Sequence, residues 1–208
     1  MAVDEAAAEP SLTVGVLALQ GAFREHVAAI RRLGHRAVEV RTPADLDGVD
    51  ALVLPGGEST TMDKLLDSSE LREPLVERLR AGLPAFGTCA GLIVLAREAT
   101  DARPDQRPLG LIDVTARRNG YGRQLASFEA PVSLVGDDVP FPGVFIRAPR
   151  IVRIGDDVEV VARVGEEPVA VARAGIMVSS FHPELTGDDR LHRRFLARVP
   201  AAAATASA

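Results

Sequence analysis

The stretch PAFGTCAGLIVLAR, residues 84–97, decides the fold of this 208-residue chain. Residues 84–87 are predicted to form a short buried strand, and residues 92–97 lie on the helix that follows. Between them, residues 87–91 have the form G-x-C-x-G, the sulfur counterpart of the G-x-S-x-G turn that lifts a nucleophile out of a sheet. Glycines on either side remove side chains that would clash in so tight a turn. The stretch therefore predicts an α/β sheet with Cys89 at its edge.

Cys89 is the only cysteine of the chain, so no internal disulfide can form. A lone cysteine in a glycine-containing loop is commonly a buried filler. Here the predicted turn places Cys89 at a helix N-terminus, where free amides and the positive end of the helix dipole favour the thiolate. The strand–turn–helix context therefore favours a nucleophile over a filler.

Apolar runs alternate with amphipathic stretches on both sides of this turn. Strands are predicted at residues 12–19, 37–40, 50–54 and 84–87, and helices at 22–33, from Ser59 or Thr60 onward, and at 70–80. A hydroxyl at Ser59 or Thr60 is expected to accept hydrogen bonds from free amides at the helix start. Strand–helix alternation predicts parallel strands with right-handed crossovers, hence a doubly wound, flavodoxin-like sheet.

The second half of the chain has a different pattern, with short apolar runs separated by tight turns. These runs predict antiparallel additions to the sheet, at residues 132–135, 144–147, 158–164, 169–174 and 176–181. A last helix is expected at residues 188–199. One domain is predicted over residues 12–199, with residues 1–11 and 200–208 disordered because they contain too few apolar side chains to fold.

Composition and patterning exclude several classes of function. The formal net charge of −5 gives no general attraction to nucleic acid. No apolar run approaches the ~20 residues that a membrane span needs, and the N-terminus lacks a signal-peptide pattern, so a cytoplasmic location is expected. No metal-ligand spacing, G-x-G-x-x-G pattern or Walker loop is present, so neither a metal nor a nucleotide cofactor is predicted.

A base for Cys89 is predicted at His182, which follows an apolar run and precedes Pro183 and Glu184. Proline favours an extended conformation at His182, and side chains two apart in an extended chain point the same way. Glu184 can then accept a hydrogen bond from one ring nitrogen and leave the other facing Cys89. The other histidines are expected to be solvated and without a catalytic role: His26, His35 and His192.

An oxyanion hole is expected from backbone amides at the carboxyl edge of the sheet. One donor is the residue after the nucleophile, Ala90. The other is expected at Gly57, in the Pro55-Gly56-Gly57 loop, although such a loop is also common as a plain turn. These glycines could also let a peptide flip, so that the hole is assembled only on demand.

Six stretches together resemble the class I, or triad, glutamine amidotransferases. The match is closer to one family, the glutaminase subunits of pyridoxal 5′-phosphate synthase, and it spans about residues 14–199. The stretches are GVLALQGAFREH (15–26), LPGGESTTM (54–62), FGTCAGL (86–92), RNGYGRQ (118–124), GVFIRAP (143–149) and SFHPELT (180–186). Arg117, beside the RNGYGRQ stretch, departs from the acidic or neutral residue expected there.

The resemblance implies the class I glutamine amidotransferase fold and hydrolysis of L-glutamine to L-glutamate and ammonia without a cofactor. Ammonia would pass to a synthase subunit that builds pyridoxal 5′-phosphate from a pentose phosphate and a triose phosphate. Cys89, His182 and Glu184 match the family's triad. The positions that match its glutamine contacts are Gly57, Glu58, Ser59, Arg118, Ile146 and Arg147. By analogy, Gln20 and Arg24 would contact the partner.

Other readings of the same residues stay open. The chain could be the glutaminase of another amidotransferase, or a non-catalytic regulatory subunit that keeps the fold. A cysteine peptidase or chaperone-like hydrolase is a further alternative, but such relatives tend to place histidine directly after the cysteine, where this chain has Ala90. Labelling of Cys89 by a glutamine-like electrophile would distinguish the catalytic reading from the regulatory one.

Overall fold

The computed structural model describes residues 11–122 and 127–200. The two predicted disordered segments lie almost entirely outside the described residues, and so do Arg123 and Gln124 of the RNGYGRQ stretch. Within the described ranges, no helix is long and apolar enough to cross a membrane.

The helices are α1 (Phe23–Arg32), α2 (Ser59–Ser68), α3 (Arg72–Arg80), α4 (Ala90–Leu95) and α5 (Arg190–Leu196). The strands are β1 (Thr13–Leu17), β2 (Arg36–Val40), β3 (Ala51–Leu54), β4 (Ala85–Thr88), β5 (Ala96–Thr100), β6 (Ile112–Arg117), β7 (Ser127–Leu134), β8 (Phe141–Ile146), β9 (Arg150–Ile154), β10 (Glu159–Val164), β11 (Glu167–Arg173) and β12 (Ile176–Ser179). Short 3-10 helices cover Pro43–Leu46 and Pro183–Leu185.

The main sheet has nine strands among the described residues, in the order β2-β1-β3-β4-β12-β11-β10-β7-β8. Its first five strands are parallel neighbours, which confirms the doubly wound, flavodoxin-like half of the prediction. The strands from β11 to β8 pair antiparallel, as the short turns of the second half predicted.

The prediction was wrong for β12, which was expected to be an antiparallel addition. It is antiparallel to β11 but parallel to β4 on its other side, with Val178 paired to Gly87 and Ser179 to Thr88. The tight turn after β11 reverses the chain, so β12 enters the sheet in the same direction as β4. The carboxyl ends of β4 and β12 therefore lie side by side at one edge.

A separate three-stranded sheet, in the order β5-β6-β9, was not predicted. The helix expected to continue to Arg97 ends at Leu95, and the chain turns directly into β5. β5 is parallel to β6, and β6 is antiparallel to β9. This small sheet carries the chain back to Arg118, beside the edge where Cys89 lies.

Helices cover both faces of the main sheet and form two apolar cores. On one face, α2, α3 and α4 pack over the strands, with Met62, Leu66 and Leu75 fully buried. On the other face, α1 and α5 pack against the strands through an apolar stripe that includes Ile30 and Phe195. Burial on both faces is what fixes a parallel sheet and positions its carboxyl edge.

The start of α2 differs from the predicted hydroxyl cap. The cap residue is Glu58, whose carboxylate accepts hydrogen bonds from the backbone N–H of Thr60 (3.1 Å) and of Thr61 (2.6 Å). A carboxylate supplies two acceptor oxygens and also interacts favourably with the positive end of the helix dipole. The hydroxyl of Ser59 therefore does not cap the helix.

Candidate active site

Cys89 stands at the turn between β4 and α4 with a left-handed backbone conformation, φ +47° and ψ −99°. Such a conformation is costly for a residue with a side chain and persists where the surroundings enforce it. A Cβ on Gly91 would lie 2.1 Å from the carbonyl oxygen of Leu54, and one on Gly87 would lie 2.6 Å from that of Gly91. Close backbone packing therefore requires the two glycines of the G-x-C-x-G motif.

The pairing of β4 with β12 brings His182 to Cys89. The backbone N–H of Cys89 donates to the carbonyl of Ser179 (2.9 Å), which extends the ladder to the end of both strands. A Cβ added to Gly56 would lie 2.2 Å from Cε1 of His182 and 3.2 Å from Cβ of Cys89. Only a glycine fits at position 56, because the imidazole and the cysteine side chain enclose it.

His182 and Glu184 form a buried hydrogen-bonded pair. Nδ1 of His182 lies 2.7 Å from Oε1 of Glu184. Glu184 lies on the short 3-10 helix rather than on extended chain, yet its side chain reaches the imidazole as the spacing predicted. Burial of His182 lowers its pKa, but the interactions with Cys89 and Glu184 outweigh this effect and raise the pKa to about 10. The imidazole is therefore held as the cation near neutral pH.

The expectation that His26 and His192 are solvated was wrong, since both are buried, with exposed fractions of 0% and 1%. His26 places Nε2 3.0 Å from the hydroxyl of Thr88 and 3.3 Å from Oε2 of Glu184. Its Nδ1 lies 2.9 Å from Nε2 of His192. Burial lowers the pKa of His26 despite the nearby Glu184 carboxylate, and burial together with His26 lowers the pKa of His192 to about 3.

Helical spacing carried a signal for His26 that the prediction did not use. His26 follows Phe23 by three residues and precedes Ile30 by four, so it lies on the apolar stripe of α1. His192 lies on the buried side of α5 in the same way. His35, in contrast, is partly exposed, and its Nδ1 accepts a hydrogen bond from the backbone N–H of Leu12 (3.3 Å).

A cavity of about 340 Å³ opens above Cys89. It is large enough for an amino-acid substrate, and its wall combines backbone, charged and apolar groups. All six positions predicted to contact glutamine line it, together with Cys89, Ala90 and His182. The lining residues are Gly21, Ala22, Gly56, Gly57, Glu58, Ser59, Cys89, Ala90, Ile93, Arg118, Asn119, Ile146, Arg147, Pro149, His182 and Leu185.

Arg118 is bound to Glu58 at the cavity wall, with Nη2 3.0 Å from Oε1. Partial burial of Glu58 raises its pKa, but the hydrogen bonds from Thr61 and Thr60 outweigh this effect and lower the pKa to about 2. The carboxylate is thus ionised. Arg118 neutralises part of its charge and holds its own guanidinium at the cavity.

Gln20 holds the backbone of Glu58, which follows the Pro55-Gly56-Gly57 loop, through two hydrogen bonds. Its Nε2 donates to the carbonyl of Glu58 (3.2 Å), and its Oε1 accepts from the backbone N–H of Glu58 (3.3 Å). A Cβ on Gly57 would lie 2.3 Å from that Nε2. Arg24, the other residue predicted to contact a partner, is exposed, with its guanidinium carbon 5.0 Å from the centre of the Phe23 ring.

The two residues predicted for the oxyanion hole line the same cavity as Cys89. Ala90 is buried and begins α4, while Gly57 is exposed at the cavity. The carbonyl of Gly56 accepts a hydrogen bond from the backbone N–H of Ala22 (3.0 Å), which holds the peptide between residues 56 and 57 in one orientation. In a trans peptide the N–H of Gly57 points away from that carbonyl.

Two side chains in the cavity wall carry groups suited to a polar ligand. The hydroxyl of Ser59 is buried and makes no hydrogen bond within the described ranges. Arg147 follows β8 with a left-handed backbone, φ +44°, and its neighbour Ile146 places its carbonyl 3.8 Å from Sγ of Cys89. Among the residues described, no group of three or more His, Cys, Asp or Glu side chains has an arrangement that could hold a metal ion.

Comparison with known proteins gives close relatives over nearly the whole chain. A pyridoxal 5′-phosphate synthase subunit PdxT of Mycobacteroides abscessus is 55% identical, with 90% of this chain and 97% of the relative covered. A subunit of the same name from Salinispora arenicola is 54% identical, with 91% of this chain and 97% of the relative covered.

Solved structures agree with this result. A crystal structure of a glutamine amidotransferase superposes with a TM-score of 0.84 at 50% identity, covering 89% of this chain and 98% of that one. The structure of PurLQS from Thermotoga maritima gives a TM-score of 0.64 at 19% identity, with 91% of this chain and all of that chain covered, and so supports the fold alone. The model of the SNO glutamine amidotransferase family matches residues 16–200. The chain therefore belongs to the SNO glutamine amidotransferase family.

Proposed function

We propose that this chain is the glutaminase subunit of a pyridoxal 5′-phosphate synthase and that Cys89, His182 and Glu184 are its catalytic triad. Family membership makes it a glutamine-hydrolysing enzyme subunit. The observation that carries the residue assignment is that His182, which is hydrogen-bonded to Glu184, lines the same cavity as Cys89 and encloses Gly56 together with it.

The proposed reaction begins when the Cys89 thiolate attacks the side-chain amide carbon of glutamine. The tetrahedral intermediate collapses with cleavage of the C–N bond, and the His182 imidazolium protonates the departing ammonia. The neutral imidazole then takes a proton from water, which attacks the γ-glutamyl thioester. Glutamate leaves, and the thiolate and imidazolium are restored. Glu184 keeps the imidazole oriented throughout by accepting a hydrogen bond from Nδ1.

A tetrahedral intermediate with a negatively charged oxygen forms twice, when the thiolate attacks the amide and when water attacks the thioester. We assign the backbone donors that stabilise this oxygen to Ala90 and Gly57. The glycine pair at positions 56 and 57 allows this peptide to rotate, because neither residue carries a side chain that would oppose the change. Rotation would require breaking the hydrogen bond between Ala22 and the Gly56 carbonyl. The N–H of Gly57 would then become available as the second donor only when the synthase partner is bound.

The charged ends of glutamine are assigned to the cavity wall. Guanidinium groups of Arg118 and Arg147 suit the substrate carboxylate, and Glu58 or a backbone carbonyl such as that of Ile146 suits its ammonium. The buried, unpartnered hydroxyl of Ser59 supports its role in binding, since a buried polar group without a hydrogen bond is costly unless a ligand supplies one.

The names of the close relatives support a synthase subunit as the partner that receives the ammonia. We place the assembly in the cytoplasm. Gln20 and Arg24 are proposed to contact the partner. Gln20 also bonds both backbone groups of Glu58, so a partner that moved Gln20 would act directly on the loop that holds Gly57.

Replacement of the nucleophile tests this proposal. Cys89→Ala is expected to abolish glutamate release from glutamine in the presence of a pyridoxal 5′-phosphate synthase subunit, because no other thiol is available. Glutamate and the vitamin product are followed together, with and without the synthase. The variant's circular dichroism spectrum shows whether it is folded.

Full glutaminase activity of Cys89→Ala would falsify the mechanism. A glutamine-like electrophile should add once to the wild-type subunit, at Cys89, and not to the variant. Failure to label the wild type with the synthase present would instead favour the non-catalytic regulatory subunit.

A further inference from the structure

Within the proposed triad, only one of the two carboxylate oxygens of Glu184 has a partner. Its Oε1 is paired with His182 at 2.7 Å, while its Oε2 is buried and has no aligned hydrogen-bond partner within the described ranges. Nε2 of His26 lies 3.3 Å from Oε2. An ionised carboxylate in such surroundings is stabilised by any donor that faces it.

His26 is itself fixed from two sides. The hydroxyl of Thr88, the residue before the nucleophile, lies 3.0 Å from its Nε2, and Nε2 of His192 lies 2.9 Å from its Nδ1. The rings of His26 and His192 each make a T-shaped contact with the ring of Phe86, at centroid distances of 6.4 Å and 5.7 Å. His26 therefore cannot turn away from Glu184 without disturbing the core.

The hydrogen-bond pattern fixes which ring nitrogen carries the proton. Burial keeps His26 and His192 neutral, so each ring has one N–H. Nδ1 of His192 is buried and has no partner within the described ranges, and a buried N–H is rarely left unpaired. The His192 proton is therefore on Nε2 and is donated to Nδ1 of His26. The His26 proton is then on Nε2, where it faces Thr88 and Glu184.

We propose that His26 is a positioning residue that holds the second carboxylate oxygen of Glu184, with its own proton kept on Nε2 by His192. The chain of contacts runs from α5 through α1 to the 3-10 helix that carries Glu184. It acts on the chemistry through Glu184 and His182, since His26 is not among the residues that line the cavity. This inference rests on the assignment of Glu184 as the residue that orients His182.

Two amide replacements separate the two sides of the His26 ring. In His26→Gln the side-chain amide nitrogen reaches the position of Nε2 and can still donate toward Thr88 and Glu184. In His26→Asn the amide reaches only the position of Nδ1, next to His192. Both variants introduce the same functional group into the same buried site, and urea unfolding of each shows whether a difference in kcat merely follows the larger cavity that asparagine leaves.

The measurement is steady-state glutaminase activity of each variant in complex with the synthase subunit. We expect kcat of His26→Asn to fall about 10-fold or more, and that of His26→Gln to stay within about threefold of wild type, because only glutamine keeps an N–H group facing the charged carboxylate of Glu184. KM should stay within about twofold for both. Equal kcat for the two variants, or a loss confined to KM, would overturn the proposal.

A second pair covers the case in which the His26 variants do not fold. His192→Gln keeps a donor near Nε2, whereas His192→Leu leaves the His26 proton free to move to Nδ1. We expect the leucine variant to show the lower kcat, and equal values would count against the proposal. His35→Asn, at a partly exposed histidine beyond the other end of α1, is the control and should be unchanged.

The outcome is separable from that of the proposed function. If wild type is active, Cys89→Ala is inactive and the paired variants do not differ, only the role of His26 is refuted. If the wild-type complex releases no glutamate, both proposals are overturned.

Discussion

His182 carries a positive charge at neutral pH because the interactions with Cys89 and Glu184 raise its pKa to about 10, against the effect of burial. A group whose pKa is raised on folding stabilises the protein fully below its unfolded pKa, about 6.5, and loses that contribution as the pH rises through about 10. The change in the free energy of unfolding between about pH 6.5 and pH 10 therefore measures how strongly His182 is paired with Cys89 and Glu184.

Glu184→Gln tests the pairing directly. The variant loses the negative charge that faces the imidazolium, so the pKa of His182 is expected to fall and its NMR signal to titrate at lower pH. The loss of stability between pH 6.5 and pH 10 should also become smaller, as measured by urea unfolding. An unchanged titration of His182 would show that Glu184 does not support its charge.

At the same scale, motif and position together were enough to predict Cys89, His182 and Glu184 as neighbours. His26 and His192 were missed because each histidine was judged by the polar residues next to it in sequence. Burial of a helical residue depends on neighbours three and four positions away, so the apolar spacing around His26 was the better guide.

Helix α2 illustrates how one element is tied to the site, since its cap, Glu58, also bonds Arg118 at the cavity. Glu58→Ala is expected to lower the free energy of unfolding at pH 7 by about 1 kcal/mol, the usual cost of losing an N-cap. Urea unfolding measures the change. Glu77→Ala, at an exposed position within α3, is the matched control and should change stability by less than about 0.5 kcal/mol.

The loss of stability caused by Glu58→Ala is expected to depend on pH. The pKa of Glu58 is lowered to about 2, so its contribution is present above the ordinary value near 4.5 and is lost as the pH falls through about 2. The stability gap between wild type and Glu58→Ala should therefore narrow from pH 7 to pH 3. A gap that stays constant over this range would mean that the carboxylate charge does not stabilise the cap.

Elements were predicted more reliably than their partners. The apolar runs marked most strands to within a few residues, but a run of buried residues has the same composition in a parallel and in an antiparallel strand. The direction of β12 depends on which strand it meets, β4 or another, and this is decided by packing. β5 was missed because it begins with Ala96, Arg97 and Glu98, of which the two charged residues are exposed, so its apolar residues do not alternate as in a half-buried strand.

The whole molecule depends on two cores that the nine-stranded sheet separates. Phe195 of α5 is 1% exposed and lies against Phe86, with ring centroids 5.5 Å apart. Phe195→Ala is expected to lower the free energy of unfolding by about 3–5 kcal/mol, the usual cost of removing a buried aromatic side chain. Urea unfolding of the variant and of Val139→Ala, whose side chain is 66% exposed, gives the comparison. Similar losses at the two positions would contradict this account of the core.

Alternation of strands and helices was sufficient to predict the doubly wound part of the molecule and the edge at which Cys89 lies. The three-stranded sheet was not predictable in this way, because β9 pairs with β6 across the intervening strands β7 and β8 of the other sheet. Such long-range pairing depends on the assembled fold rather than on local pattern.

The parallel pairing of β4 with β12 makes thiol and imidazole parts of one rigid body. Hydrogen bonds join the two strands as far as the amide of Cys89, so a breathing motion of the sheet carries both groups together. The wall of the cavity also carries side chains from other segments, among them Arg118 and Arg147, which are not part of these two strands. An engineer seeking a different amide substrate should therefore change those side chains and leave the two strands and the Gly56-Gly57 pair intact.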